Sequence, residues 1–307
     1  MAIPLTPVEL PGWVEFHAWR TGLKPDRFST SDGSSQVRAV LYLDQHGRVR
    51  LPHLARYIPV VFETQRQRPS GRTAEWLRVA APLVEEMKRR KVPNLIYLPP
   101  AIDDVRPWQW RGFLVGVDYT YLLDFPLDTA LIDRNHRSSC EKATRLGMTV
   151  ERVSDADPVI ECLEESASRV GYSLEIRHRE LRKAQSLLGS DSLRTYVCYD
   201  REGRPASSCV VVHLPDNRAF GWLAGTKTAR LGDGANHLLW RTAFDDLAAA
   251  GATGVDFGGP SSPSIASFKS RWGSRLLPMY SIRSYSVRAG ARLLANWLGP
   301  RRESRNG

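Results

Sequence analysis

The chain has 307 residues, 42% of them hydrophobic and 25% charged, and carries a net charge of +10. That size and balance are those of a globular soluble protein with room for two modest units or one large one. No apolar run approaches the roughly 20 residues that a membrane helix needs, and the start "MAIPLTPVELPGW" lacks the basic and apolar segments of a secretory leader, so a cytoplasmic location is expected.

In chain order, "QVRAVLYLD" (36–44) reads as a strand ending in a "DQHG" turn, and "RYIPVVFET" (56–64) as a second strand. "QRQRPSGR" (65–72) is a basic, turn-rich loop. Trp76, Leu77, Ala80, Leu83, Val84 and Met87 recur at helical spacing, which predicts a helix over 73–91 capped by Thr73. "NLIYLPP" (94–100) follows as a buried strand, and "WQWRGF" with "VGVDYTYLLDFP" as an aromatic strand pair bridged by glycines.

The second half is more regular. A basic helix over 133–147 stops at Gly147 and leads into the strand "MTVERV". An acidic helix over 155–171 and a basic helix over 177–189 come next. Three strands, "LRTYVCYD", "PASSCVVVHL" and "NRAFGWLAGT", are joined by the turns "DREGRP" and "PDN". A long helix over 234–251, the strand "TGVDFGGP" (253–260) and a last strand near "LLPMYSIRSYS" complete the order. The first half repeats that order in shorter form, which predicts an α+β protein of two related modules side by side.

The charge is unevenly spread. From residue 264 onward there are nine basic side chains (Lys269, Arg271, Arg275, Arg283, Arg288, Arg292, Arg301, Arg302 and Arg305) against Glu303 alone, leaving only +2 for residues 1–263. So lopsided a field favours a polyanionic partner such as nucleic acid, a nucleotide or an acidic membrane. Cys140, Cys162, Cys198 and Cys209 make no C-x-x-C pair, and no two of the seven histidines have metal-ligand spacing, so neither a metal nor a redox centre is expected. No G-x-S-x-G, H-E-x-x-H or Walker A motif is present.

"TARLGDGANHLLW" places Gly232 and Gly234 between a strand and a helix start, where free amide N–H groups can bind an anion. In acetyl-coenzyme A transferases of the GNAT fold a pyrophosphate sits at such a turn, behind a Gln or Arg. Here Ala229 holds that position, Arg230 comes one residue late, and Asp233 puts a negative charge between the glycines.

The string "GDGANHLLWRTAFDDLAAAGATGVDFGGP" followed by "FKSRWG" resembles the FemABX superfamily, GNAT-like proteins that use aminoacyl-tRNA to add amino acids to peptidoglycan precursors. The likeness is close over 131–285 and looser over 1–130. It implies two tandem GNAT-like modules, the C-terminal one better preserved: 1–130 on the acceptor side, 131–290 catalytic, and 291–307 a basic tail.

The resemblance also implies an activity: amide-bond formation between a tRNA-borne amino acid and the amine of a small acceptor. That acceptor is a peptidoglycan precursor or a peptidyl or nucleoside natural product, as in antibiotic biosynthesis. Aminoacyl-tRNA would be the co-substrate and no cofactor would be needed. The long charged hairpin of some cell-wall members is absent here, so a compact member is expected.

The family's Phe-Lys pair falls on Phe268 and Lys269, which gives Lys269 the stabilisation of the transition-state charge. The chemistry agrees, because aminolysis of an ester passes through a tetrahedral oxyanion that a fixed ammonium stabilises. Asp256 is placed to orient the acceptor amine or Lys269, with a structural strand-end carboxylate as the alternative. Gly232, Gly234, Asn236, Gly258 and Gly259 are expected to shape the substrate-facing turns. Arg111, Tyr119 and Tyr121 are candidates for the acceptor pocket, or else strand packing. Arg134, Arg137, Lys142, Arg145, Arg271 and Arg275 are the candidate phosphate contacts to tRNA. The competing reading is an acyl-coenzyme A-dependent GNAT N-acyltransferase; the altered turn at 229–234 weighs against it.

Overall fold

In the computed structural model, which describes residues 6–171, 173–259 and 261–285, the chain folds around two sheets. After a short 3-10 turn (Pro7–Glu9), helix α1 (Pro11–Thr21) leads to strands β1 (Lys24–Ser31), β2 (Ser35–Leu43), β3 (Val49–Arg50) and β4 (Val60–Thr64). Helix α2 (Pro69–Arg90), strand β5 (Ile96–Tyr97), the single turn α3 (Arg106–Gln109) and strand β6 (Phe113–Asp124) follow. Then come α4 (Arg134–Arg145), β7 (Thr149–Arg152), α5 (Asp157–Val170), α6 (His178–Ser192), β8 (Leu193–Tyr199), β9 (Pro205–Val212) and β10 (Arg218–Thr226). Helix α7 (Ala235–Ala249), β11 (Gly254–Gly258), α8 (Pro263–Ser270) and β12 (Arg275–Ser284) complete the order.

The expected α+β architecture of two sheet-and-helix units is the one observed. β1 to β4 form a small antiparallel sheet covered by α2, whose Trp76, Leu83 and Met87 meet Leu41 and Val49 in a common core. The larger sheet runs β5-β12-β6-β11-β10-β9-β8-β7. Alternation along its strands buries both faces. Leu239, Trp240 and Phe244 of α7 lie on one face against Val255, Phe257 and Tyr196. Trp13, Ile160 and Leu181, from α1, α5 and α6, lie on the other against Val197, Val210 and Phe220. The connection at residue 130 separates β6 from α4 along the chain, yet β6 sits between β12 and β11 in the sheet. The two halves of the chain are therefore bonded through one continuous sheet.

Several elements differ from the sequence reading. Helix α2 begins at Pro69 rather than behind Thr73, because a proline's fixed φ and missing N–H suit a first helical turn. "WQWRGF" is not a strand: Trp108 is buried in α3, Gly112 turns the chain at φ +81°, and β6 then runs unbroken. Gly116 stays within β6 because a side chain there would meet Ser281 Oγ of β12 at 2.7 Å. Of "RYIPVVFET" only Val60–Thr64 is strand; residues 56–59 are a loop that crosses to β5, with Ile58 N donating to Tyr97 O at 3.0 Å. Helix α1 was not foreseen, since its aromatic residues interleave with charged ones and blur the helical period. Cys198 and Cys209 are core residues. Arg288, Arg292, Arg301, Arg302, Arg305 and the 291–307 tail lie outside the described residues.

Candidate active site

Strands β10 and β11 pair in parallel only where residues 218–220 face 254–256, and beyond that point they part. Asp256 stands at the parting. Its carboxylate is buried, and Oδ1 accepts hydrogen bonds from the Thr120 hydroxyl of β6 and from Gly258 N, the latter at 3.0 Å. Asp256 registers with Leu122 of the neighbouring β6, so Thr120, two residues along, presents its hydroxyl on the same face. Oδ2 of Asp256 has no partner.

Lys269 reaches the same place from α8. That helix is set by three local features: Ser262 Oγ accepts from Ile265 N, Pro263 takes the first helical position, and Gly273 turns the chain afterwards at φ +81°. Phe268 and Trp272 anchor the helix. Phe268 lies 5.1 Å, centroid to centroid, from both His136 and His237, and the Trp272 side chain is buried against Phe244. With those rings inward, Lys269 Nζ donates to Gly259 O at 2.9 Å and lies 5.5 Å from the Phe257 ring centroid. Burial, and then the neighbouring Arg56, bring its pKa from 10.5 down to about 8, against the opposing pull of Asp256. At neutral pH it is still mostly an ammonium. His136 Nε2–H donates to the Phe268 carbonyl at 2.9 Å, and burial holds both histidines below their ordinary pKa, His237 at about 4. The pair is therefore a neutral part of the α8 support.

Arg56 is the residue the sequence reading missed. It comes from the loop between β3 and β4. Its Nη2 donates to Thr120 Oγ1 at 3.2 Å, and its Nε stands 3.8 Å from Asp256 Oδ1. A side chain at Gly258 (φ +88°) would bring its first carbon within 2.8 Å of Arg56 Nη1 and 3.1 Å of Lys269 Nζ, so both cations converge on the bare backbone of this glycine. Gly259 is equally constrained, because Tyr119 O would lie 2.7 Å from its Cβ. The available signal was an arginine inside the apolar run "LARYIPVVF", since a cation placed there must find buried partners.

The other expected residues divide. Tyr119 lies beside the site through its carbonyl, with its ring exposed. Tyr121 is a core residue packed with Leu123 and Val255. Arg111 pairs with Glu85 at 2.6 Å, two residues before the start of β6, whereas Thr120 lies seven residues into that strand. It is not at this site.

The turn before α7 is closed by α4. A Cβ at Gly234 (φ +84°) would sit 2.1 Å from Ser139 O, and Lys142 Nζ donates to Gly232 O at 2.7 Å. Asn236 is half-buried in the first turn of α7. Arg230, the cation nearest that turn in sequence, is held by Asp200 at 2.6 Å and Asp233 at 3.3 Å. Gly234 is thus required by helix packing.

Of the basic candidates, Arg134 and Arg271 are exposed and have no ion-pair partner among the described residues. The Arg271 carbonyl accepts from Asp133 N, so the end of α8 abuts the start of α4. Arg137 donates to Thr129 O, Arg145 lies 4.0 Å from Glu141, and Arg275 pairs with Asp124 at 3.1 Å. No cluster of three or more potential metal ligands occurs among the described residues. No helix among them is long and apolar enough to cross a membrane.

Residues 133–270 match the family model described as an acetyltransferase (GNAT) domain. The fold as a whole is similar to that of the crystal structure of FemX: TM-score 0.65 at 13% identity, covering 95% of this chain and 94% of that one. It is also similar to L-PGS from Bacillus licheniformis, with TM-score 0.53 at 14% identity and coverage of 98% and 100%. None of the curated proteins matches the sequence. At these identities the likeness establishes a FemX-type fold with a GNAT-type unit in its C-terminal part.

Proposed function

We propose that the protein is an aminoacyl-tRNA-dependent transferase that forms an amide bond between a tRNA-borne amino acid and the amine of a small acceptor. The acceptor would be a peptidoglycan precursor or a peptidyl or nucleoside natural product. The observation that carries this reading is the Lys269 ammonium fixed at the parting of β10 and β11. The acceptor nitrogen attacks the ester carbonyl carbon, and the carbonyl electron pair becomes an oxyanion beside Lys269. Collapse of that intermediate breaks the bond to the tRNA ribose oxygen, and the proton lost by the amine ends on the released hydroxyl. Asp256 Oδ2, buried and unpartnered, would accept an N–H of the attacking amine. No cofactor is required beyond the co-substrate, and the reaction belongs in the cytoplasm, where charged tRNA is made.

The exposed Arg134 and Arg271 at the junction of α4 and α8 suit the phosphates of an acceptor stem. The match of 133–270 to an acetyltransferase model favours a second reading, transfer from an acyl-coenzyme A. The Ser139 carbonyl beside Gly234 and the engagement of Arg230 with two carboxylates weigh against a pyrophosphate at that turn. A transfer assay with charged total tRNA and amine acceptors separates the two. Product that requires tRNA and disappears after RNase treatment supports the first reading. Product made from acyl-coenzyme A after RNase treatment supports the second.

A further inference from the structure

The ion pair between Arg56 and Asp256 is incomplete. An arginine bound structurally to a carboxylate normally makes two parallel bonds near 2.8 Å. Here the nearest approach is 3.8 Å, Asp256 Oδ2 and Arg56 Nε are both buried without partners, and the guanidinium is held instead through Thr120. Thr120 donates to Asp256 and accepts from Arg56, so it fixes the direction of the guanidinium. The loop backbone is fixed as well: Trp222 Nε1 donates to Leu54 O at 3.1 Å, and the Tyr57 ring packs 6.2 Å from that of Phe220. A rigid arginine with unused donors therefore points at the Lys269 ammonium.

The distances from the Gly258 Cβ position put Arg56 Nη1 and Lys269 Nζ no more than about 6 Å apart. One oxygen accepting from both at about 2.8 Å bridges nitrogens up to roughly 5.6 Å apart, and a two-oxygen anion reaches further. We propose that Arg56 and Lys269 form one anion-binding subsite, built from the β3–β4 loop and helix α8 across Gly258, that holds the oxyanion of the tetrahedral intermediate. The inference deepens the transferase reading and rests on it for the identity of the oxyanion; the subsite itself does not depend on the donor. Without an anion the two cations repel each other, in keeping with the lowered pKa of Lys269. The charged groups acting on Lys269 are Arg56, from the β3–β4 loop, and Asp256, from β11.

The test reads Lys269 directly. Labelling with trinitrobenzenesulfonate across pH, followed by peptide mass analysis, gives its titration midpoint in the wild type, Arg56→Gln, Arg56→Lys and Thr120→Val. The expected midpoint is near 8 in the wild type, and about one pH unit higher in Arg56→Gln. Inorganic phosphate should slow labelling of the wild type and have no effect on Arg56→Gln, while Arg56→Lys keeps part of the effect. In turnover, Arg56→Gln should lower kcat about 100-fold with little change in KM for the donor. An unchanged midpoint and unchanged phosphate protection in a folded Arg56→Gln overturn the proposal. If these labelling effects appear but charged tRNA does not act as donor, the subsite stands and the donor reading falls.

Discussion

Replacing Lys269 with methionine should stabilise the protein while removing its activity. The pKa of Lys269 lies about 2.5 below its ordinary value of 10.5, and at 1.36 kcal/mol per unit this is about 3 kcal/mol of unfavourable burial at neutral pH. Partial solvent contact of the side chain reduces that ceiling, so a gain of about 1–3 kcal/mol is expected, or a rise of a few degrees in Tm. The sign follows from linkage. Below pH 8 the folded and unfolded chains both hold the proton, and the penalty is complete. Between about 8 and 10.5 the folded chain releases its proton first and the penalty shrinks; above 10.5 it is gone. Urea unfolding of wild type and Lys269→Met from pH 6.5 to 10.5 should therefore show an advantage for the variant that is largest at neutral pH and fades as pH rises. Turnover of the variant should fall about 100-fold or more. A variant that is less stable at pH 7, or equally favoured at every pH, refutes the idea that Lys269 is a buried, strained cation.

Other outcomes follow from the same geometry. The rate should decline above about pH 8, where the ammonium is lost; a rate flat to pH 10 contradicts a charged role. Gly234→Ala should cost about 2–4 kcal/mol through left-handed strain and collision with Ser139 O. Gly232→Ala, which meets open space, should cost less than about 0.5 kcal/mol; equal losses in thermal melts would refute the packing role of Gly234. Arg134→Glu and Arg271→Glu should weaken tRNA binding and lower its salt slope by about one each. Unchanged filter-binding isotherms would place the acceptor stem elsewhere.

The second half of the chain was legible because each signal there is local. Helical spacing ending in Gly147 or Gly171, and three β-rich runs with short turns between them, leave few alternatives. Lys269 could be found for a related reason: the short contiguous string "FKSRWG" carries the resemblance that singles it out, whereas the helix α8 that holds it was not foreseen. What escaped depends on contacts between distant segments. Arg56 gains its meaning from Thr120 and Asp256, 64 and 200 positions further along the chain. Arg111 looked equally promising in sequence but is spent on Glu85. The turn at Gly232 and Gly234 showed the composition of an anion site, and only the approach of α4 reveals that the second glycine accommodates a carbonyl. The placement of β6 between β12 and β11 could not be read from local periodicity, which is blind to which strands pair.

The most direct test of the account is a transfer assay with radiolabelled charged tRNA and a panel of amine acceptors, run with wild type and with Lys269→Met. The account predicts label moving from tRNA into an amide product with wild type alone, and no product after RNase treatment. Amide product that persists after RNase treatment with acyl-coenzyme A supplied, or wild-type turnover by Lys269→Met, contradicts it.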